Sequence, residues 1–102
     1  MKYDKLVRDN IPAIIEESGK KATYRVLDGS EFTKYLEKKL DEEVAEFHES
    51  KSIEELADIL EVLMALMKEY GFDDYTVHET RWGKKVKLGG FTKKICLLEV
   101  EG

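Results

Sequence analysis

The chain contains one cysteine, one proline and no long apolar run. A lone cysteine, Cys96, cannot form a disulfide within the chain, and such usage is typical of a reducing compartment. The apolar stretches are much shorter than the roughly 20 residues that a membrane-spanning helix needs. Residues 1–10 are charged and lack the apolar segment of a signal peptide. We therefore expect a cytoplasmic protein that makes no use of a membrane.

The chain also lacks a net positive charge. The formal net charge is −5, which argues against general nucleic-acid binding, because that binding depends on neutralising phosphates. No glycine-rich phosphate loop of the Walker type is present. The segment from Arg81 to Lys94 is nevertheless basic and contains no acidic residue. An acidic region with a basic segment beside it suits a metal-bound polyphosphate better than a nucleic-acid duplex.

Composition and apolar spacing predict the fold class. With 42% hydrophobic and 38% charged residues, the chain is typical of a globular protein, and residues 1–102 suit one domain. The predicted class is mainly α: a helical bundle built on an antiparallel helix hairpin, with a small two-stranded β element. The predicted helices run from Asn10 to Gly19, over 31–49, over 53–70 and from Asp73 or Asp74 to about Val86, and the predicted strands are 21–27 and 94–100.

Four acidic residues in the two central helices carry the clearest chemical signal. Glu43 and Glu46 are three residues apart on one predicted helix, and Glu55 and Asp58 repeat that spacing on the next. Residues three apart lie on one face of a helix. If the helices pack antiparallel around a turn near residues 50–52, Glu43 lies level with Asp58, and Glu46 lies level with Glu55. All four carboxylates then fall at one height.

Two of these carboxylates lie on apolar faces. Glu43 projects between Phe32 and Leu36 on the apolar stripe of its helix, and Glu55 projects onto the apolar face of the next helix. A carboxylate that faces a core is costly unless it is paired or binds a metal. We therefore predict a site for a hard divalent cation with oxygen ligands, with Mg²⁺ as the first choice and Mn²⁺ as an alternative.

Two structural interpretations compete with a metal site. Lysines four residues before Glu42 and Glu43 offer simple exposed ion pairs. The stretch from Ser52 to Glu55 is typical of a capping box, in which Glu55 would serve the N-terminus of its own helix. Glu55 could not easily fill the capping role and the metal-binding role at once, so its position in the structure distinguishes the two.

The acidic pattern resembles a known family. Glu42-Glu43-Val44-Ala45-Glu46 followed by Glu55-Leu56-Ala57-Asp58 is similar to the motif of the all-α nucleoside triphosphate pyrophosphohydrolases, the MazG-like superfamily that includes phosphoribosyl-ATP pyrophosphohydrolases. Lys5-Leu6-Val7-Arg8-Asp9-Asn10-Ile11-Pro12 and Gly89-Gly90-Phe91 look like segments of a small MazG-like subfamily. With them the resemblance covers most of the chain. Leu88 departs from the pattern, because a basic residue is expected before the glycine pair.

The resemblance implies a hydrolase that cleaves a nucleoside triphosphate between the α and β phosphates, giving the monophosphate and pyrophosphate. It implies Mg²⁺ as the cofactor and a nucleotide as the substrate. The implied metal ligands are Glu43, Glu46, Glu55 and Asp58. Glu42 and Glu43 are the candidate catalytic residues, with Glu42 orienting water or acting as a base.

Binding of the substrate phosphates requires cationic side chains or backbone N–H groups. The first candidates are Arg81, Lys84 and Lys85, and the next are Lys5 and Arg8. Arg8 could equally form a salt bridge with the neighbouring Asp9. The spacing of Trp82 is more typical of core than of a residue that stacks on a base, and Cys96 is expected to be inert core.

The third predicted helix is apolar over most of its circumference, which favours a second copy of the chain to cover it. We therefore expect a homo-oligomer, either a dimer or a larger assembly. Two alternatives to the nucleotide pyrophosphohydrolase remain open. One is phosphoribosyl-ATP pyrophosphohydrolase in histidine synthesis. The other is a non-enzymatic helical interaction module, in which the acids cap and solvate helices and the apolar arc binds a partner.

Overall fold

The computed structural model describes residues 3–102 and confirms that the chain is mainly helical. The helices are α1 Ile11–Glu17, α2 Gly29–Ser50, α3 Ile53–Glu69 and α4 Asp74–Leu88. The backbone forms two compact units, of which the first ends at Gly71 and the second is Phe72–Gly102. The first unit contains α1, α2 and α3, and the second contains α4. None of the helices in residues 3–102 is long and apolar enough to cross a membrane.

Helix α2 begins two residues earlier than predicted, because Asp28 is its N-cap. The Asp28 carboxylate accepts a hydrogen bond from the Glu31 backbone N–H at 2.9 Å, and the Ser30 hydroxyl donates to the same oxygen at 3.2 Å. An aspartate at the N-cap satisfies a backbone donor that the helix cannot satisfy itself. The helix ends at Ser50, and the left-handed conformation of the C-cap residue Lys51 (φ 54°) turns the chain towards α3.

Only half of the predicted capping box forms at the start of α3. The Ser52 hydroxyl accepts from the Glu55 backbone N–H at 3.3 Å, as an N-cap should. The Ser52 backbone N–H, however, donates to the Ser50 hydroxyl at 3.3 Å. The backbone donor that a capping box assigns to Glu55 is thus satisfied by Ser50. The Glu55 carboxylate is left available for contacts with α2.

Helices α2 and α3 form an antiparallel pair joined by two residues. At the far end of the pair, the Tyr70 hydroxyl donates to Glu37 at 2.9 Å. The start of α2 also lies beside the end of α3, where a Cβ on Gly29 would be 3.9 Å from a carboxylate oxygen of Glu69. The Tyr70–Glu37 hydrogen bond helps to hold the end of α3 against α2.

The core of the hairpin is small. Leu36 and Val62 are its buried apolar side chains among the described residues, at 2% and 8% exposure. The outer side of α3 remains uncovered, with 40% to 56% exposure at Leu56, Leu60, Leu63 and Met64. The wide apolar arc seen in the sequence is therefore not buried by α1 or α2 of the first unit. Contiguous exposed apolar patches are uncommon on monomeric proteins and typical of interaction surfaces.

The predicted two-stranded β element is wrong for residues 3–102. Neither 21–27 nor 94–100 is a strand, and apolar side chains in both are open to solvent, with Val26 at 88% and Leu98 at 90% exposure. A strand needs a neighbour to satisfy its backbone N–H and C=O groups. Alternating side chains indicate which face would be buried, but they do not supply that neighbour.

In the second unit, α4 is capped by Asp73, whose carboxylate accepts from the Thr76 backbone N–H at 2.7 Å. The helix ends at Gly89, whose positive φ of 89° suits glycine. Trp82 is 57% exposed and Cys96 is also exposed. Their assignment to core was therefore wrong: helical spacing and an apolar neighbourhood do not bury a side chain unless another element packs on it.

Candidate metal centre

Glu43 is the one buried charged residue among those described, at 5% exposure. Its position on the apolar face of α2 predicted this burial. One carboxylate oxygen lies 3.2 Å from the Lys39 ammonium, while the other, Oε2, is buried and accepts no hydrogen bond from an N–H or hydroxyl group in residues 3–102. An unsatisfied buried carboxylate oxygen is costly. Such an atom is available to share a proton with a neighbouring carboxyl group or to bind a cation.

The acids of α3 converge on Glu43. One carboxylate oxygen from each of Glu43, Glu55 and Asp58 lies within 4.8 Å of the others. A second group of the same kind contains Glu42, Glu43 and Glu46. Glu43 is common to both groups, so the four predicted metal ligands lie in two overlapping clusters. The antiparallel register of α2 and α3 produces this convergence, and Glu55 Oε2 is a second buried oxygen without a partner in the described chain.

The pKa of Glu55 reflects the close approach of several carboxylates in this centre. The pKa of Glu55 is raised from 4.5 to about 7. The largest cause is the hydrogen-bonding contact with Glu43, followed by burial and by the negative charges of Glu46 and Glu43. Two carboxylates make a hydrogen bond only if one of them carries a proton. At neutral pH the Glu43–Glu55 contact therefore needs either a proton or a cation, and a divalent cation would compete directly with that proton.

Three cationic side chains border the carboxylates. Arg8 lies 2.6 Å from Asp58, and Lys5 lies 3.4 Å from Glu42. The Arg8 contact differs from the sequence alternative, in which Arg8 would pair with the adjacent Asp9. These ion pairs fasten the segment Asp4–Arg8, which we call the N-terminal arm, to α2 and α3.

Lys39 is the third cation, and it lies between two carboxylates. Its ammonium is 3.4 Å from Glu42 and 3.2 Å from Glu43, and its side chain is 17% exposed. Burial alone would lower the pKa of Lys39, but the hydrogen bond to Glu43 and the charges of Glu42 and Glu43 outweigh it and raise the pKa. Lys39 therefore stays charged at neutral pH.

The charges of the centre do not balance. The clusters contain five carboxylates, from Glu42, Glu43, Glu46, Glu55 and Asp58, and the bordering cations are Lys5, Arg8 and Lys39. With every group ionised, five negative and three positive charges leave two negative charges. One divalent cation would neutralise them.

The donor set fits such an ion. Carboxylate oxygens are the ligands that Mg²⁺ and Mn²⁺ prefer, and two of the oxygens here are buried without a partner. Glu43, Glu46, Glu55 and Asp58 would hold the ion. Their role as ligands stays a prediction.

The predicted phosphate-binding residues fall into two sets. Lys5 and Arg8 lie against the carboxylates of the first unit. Arg81, Lys84 and Lys85 are exposed on α4 in the second unit, where the Lys85 ammonium lies 5.7 Å from the centre of the Trp82 ring. A phosphate-binding role for either set stays a prediction.

The sequence pattern indicates Lys39 only as a partner in an exposed ion pair, and it indicates no role for Tyr35. Tyr35 anchors the arm, because its hydroxyl donates to Asp4 at 2.8 Å. Lys39 could have been found from its position one turn before Glu43, on the same partly buried face. The Tyr35–Asp4 contact spans 31 residues, and no local pattern marks it.

Comparison of the chain with protein-family profiles, curated proteins and solved structures gave no match. The resemblance of the acidic motif to MazG-like enzymes therefore rests on the residues of this chain alone.

Proposed function

We propose that the protein is a Mg²⁺-dependent nucleotide pyrophosphohydrolase that cleaves a nucleoside triphosphate to the monophosphate and pyrophosphate. The observation that supports this most is the buried carboxylate of Glu43, which lies within 4.8 Å of carboxylate oxygens of Glu55 and Asp58 and has one oxygen that accepts from no N–H or hydroxyl group of the described residues. An acidic centre of this kind, flanked by lysine and arginine, suits the binding of a metal-bound polyphosphate. The motif resemblance to MazG-like enzymes supplies the reaction class.

In this proposal Glu43, Glu46, Glu55 and Asp58 hold the cation. When bound, Mg²⁺ neutralises charge on the phosphates and lowers the pKa of a coordinated water. Glu42 is held in place by Lys5 and Lys39, which suits a residue that orients the attacking water. Arg8 lies at the other edge of the centre, on Asp58.

The test is pyrophosphate release from a panel of nucleoside triphosphates with Mg²⁺. Glu43→Gln and Asp58→Asn should each lower kcat by at least about 100-fold, because one lost electrostatic group at a reacting centre commonly costs that much. Matched controls are Glu49→Gln and Asp41→Asn, which change exposed acids of α2 outside both clusters. Full activity in Glu43→Gln, or orthophosphate as the only product, would refute the proposal.

We also propose that a second copy of the chain covers the outer side of α3, which makes the protein a homo-oligomer. Leu60 and Met64 on this side are 56% and 41% exposed, and burying such surface favours association. Light scattering should give at least twice the chain mass, and Leu60→Glu should reduce it. A monomer at working concentration would refute the assembly without affecting the metal-site proposal.

The same exposed face favours one competing function, a non-enzymatic interaction module. A module would need no metal, so its thermal midpoint would not respond to Mg²⁺ or Mn²⁺ at constant ionic strength. A rise in the midpoint with either ion would argue against this alternative, because a ligand that binds only the folded state stabilises it.

A further inference from the structure

A cleft of about 180 Å³ lies between the N-terminal arm and α2. Both of its walls belong to the first unit. The residues that matter for its chemistry are Asp4, Lys5, Tyr35, Lys38, Lys39 and Glu42.

The cleft adjoins the candidate metal centre through shared residues. Glu42 lines the cleft and belongs to one of the carboxylate clusters. Lys39 also lines the cleft and reaches Glu42 at 3.4 Å and Glu43 at 3.2 Å. A ligand in the cleft would therefore lie directly beside any cation held by the carboxylates.

The charged groups of the cleft favour an anion. Three lysines face two acids, and each acid already has partners. Asp4 accepts from the Tyr35 hydroxyl at 2.8 Å, and Glu42 lies 3.4 Å from both Lys5 and Lys39. A lysine ammonium has three N–H donors, so Lys5 and Lys39 can hold Glu42 and still donate to a bound anion.

Among the three lysines of the cleft, Lys38 has the most unused hydrogen-bond donors. It forms no ion pair with any residue in 3–102, and its ammonium lies 5.6 Å from the centre of the Tyr35 ring. A cation over an aromatic face keeps most of its hydrogen-bonding capacity while its position is restricted. Lys38 is thus positioned at the cleft and free to contact a ligand.

The size of the cleft limits what it can hold. Pockets for drug-sized ligands are about 300–1,000 Å³, so about 180 Å³ accommodates part of a nucleotide and not all of it. The part that matches three ammonium groups is the phosphate chain, because ammonium–phosphate contacts are strong charge-assisted hydrogen bonds.

We propose that this cleft binds the phosphate chain of the metal-bound nucleotide and the pyrophosphate that is released, with Lys38 as a contact residue supported by Lys5 and Lys39. The identity of the nucleotide rests on the proposed function, but the binding of pyrophosphate does not. The inference adds Lys38 and Lys39 to the phosphate-binding residues that the sequence indicated.

The experiment measures binding of inorganic pyrophosphate to the full chain by calorimetry in the presence of Mg²⁺, and separately the binding of Mg²⁺ alone. Lys38→Met should weaken pyrophosphate binding about tenfold, because one charge-assisted hydrogen bond contributes on that scale. Its affinity for Mg²⁺ alone should stay within about twofold, since Lys38 pairs with none of the carboxylates. Lys38→Arg keeps the charge and should restore most of the pyrophosphate affinity.

Lys34→Met is the matched control. Lys34 is an exposed lysine of α2 one turn before Lys38 and does not line the cleft. Its removal changes the net charge equally and should alter pyrophosphate binding by less than about twofold, since an exposed charge that makes no direct contact with the ligand contributes little. Equal losses in Lys38→Met and Lys34→Met, or no loss in either, would overturn the inference.

The outcomes separate this inference from the proposed function. Lys38-dependent pyrophosphate binding in a protein that hydrolyses no nucleotide would support the cleft and refute the activity. Nucleotide hydrolysis with an equal KM in Lys38→Met and Lys34→Met would support the activity and refute the cleft. Neither result depends on folding, because both lysines are exposed.

Discussion

The two units of the chain differ in how their charged residues are arranged. In the first unit, ion pairs connect residues far apart in sequence: Lys5 with Glu42 and Arg8 with Asp58. In Phe72–Gly102, positive charge is abundant, yet the described residues form no comparable long-range ion pair. High local charge alone is thus a weak sign of a site. The stronger sign is a spacing that repeats on two helices and meets across their interface.

The largest difference between the two units should appear when a divalent metal is added. At a Mg²⁺ concentration 100 times the Kd, binding should stabilise the folded state by about 2.7 kcal/mol, which raises the thermal midpoint by roughly 10 °C for a domain of this size. Glu43→Gln should abolish the rise. Glu79→Gln in the second unit should leave it intact, and an equal loss in both variants would show that the response is a general charge effect.

The second prediction uses pH in the absence of metal. Because the folded-state pKa of Glu55 is raised from 4.5 to about 7, the folded protein holds a proton that the unfolded chain releases. Its contribution to stability is fully present below pH 4.5 and is lost as the pH rises to about 7. Denaturant unfolding across this window should show a falling free energy of unfolding.

Glu55→Gln is the control for that trend. It removes the titrating group and should flatten the decline between pH 4.5 and 7. Metal affinity should change in the opposite direction in the wild-type protein, since the cation and the proton compete for the same carboxylates. A stability that rises with pH over this window would contradict the shared contact between Glu43 and Glu55.

The smallest expected effect is on Mg²⁺ affinity, and it is tested by comparing two arginine–carboxylate pairs of similar geometry. In the Arg8–Asp58 pair the N–O distance is 2.6 Å, and the two side chains are 56% and 37% exposed. In the Arg25–Glu31 pair the N–O distance is 2.9 Å, and the two side chains are 58% and 38% exposed. Removing either arginine should cost little stability, because exposed ion pairs contribute little. Arg8→Ala should nevertheless tighten Mg²⁺ binding, roughly threefold, because it removes a cation from Asp58. Equal Mg²⁺ affinity in Arg8→Ala and Arg25→Ala would show that Arg8 does not compete for the site.

The convergence of the acids could be predicted from the sequence because it depends on local quantities. Helical spacing defines the face on which Glu43 and Glu46 lie, and a two-residue turn sets the register against Glu55 and Asp58. The burial of Glu43 followed from its place on an apolar stripe. The half-formed capping box shows why Glu55 could be assigned to the interface only with the structure in hand.

The remaining features depend on contacts that sequence patterns do not encode. The arm reaches α2 and α3 across separations of 37 and 50 residues, and no periodicity relates these positions. The prediction of a β element was wrong for a related reason. Residues 21–27 and 94–100 each have the composition of a strand, but strand pairing needs a neighbouring strand at hydrogen-bonding distance. The cleft beside Lys38 exists only because the arm lies there.

A calorimetric titration of the full chain with Mn²⁺ and with Mg²⁺ measures directly whether the carboxylates of α2 and α3 bind a divalent ion. We expect saturable binding of either ion to the wild-type protein, retained in Glu49→Gln and lost in Glu43→Gln. No binding to the wild-type protein, or equal affinity in Glu43→Gln, would mean that the carboxylates of α2 and α3 do not form a metal site.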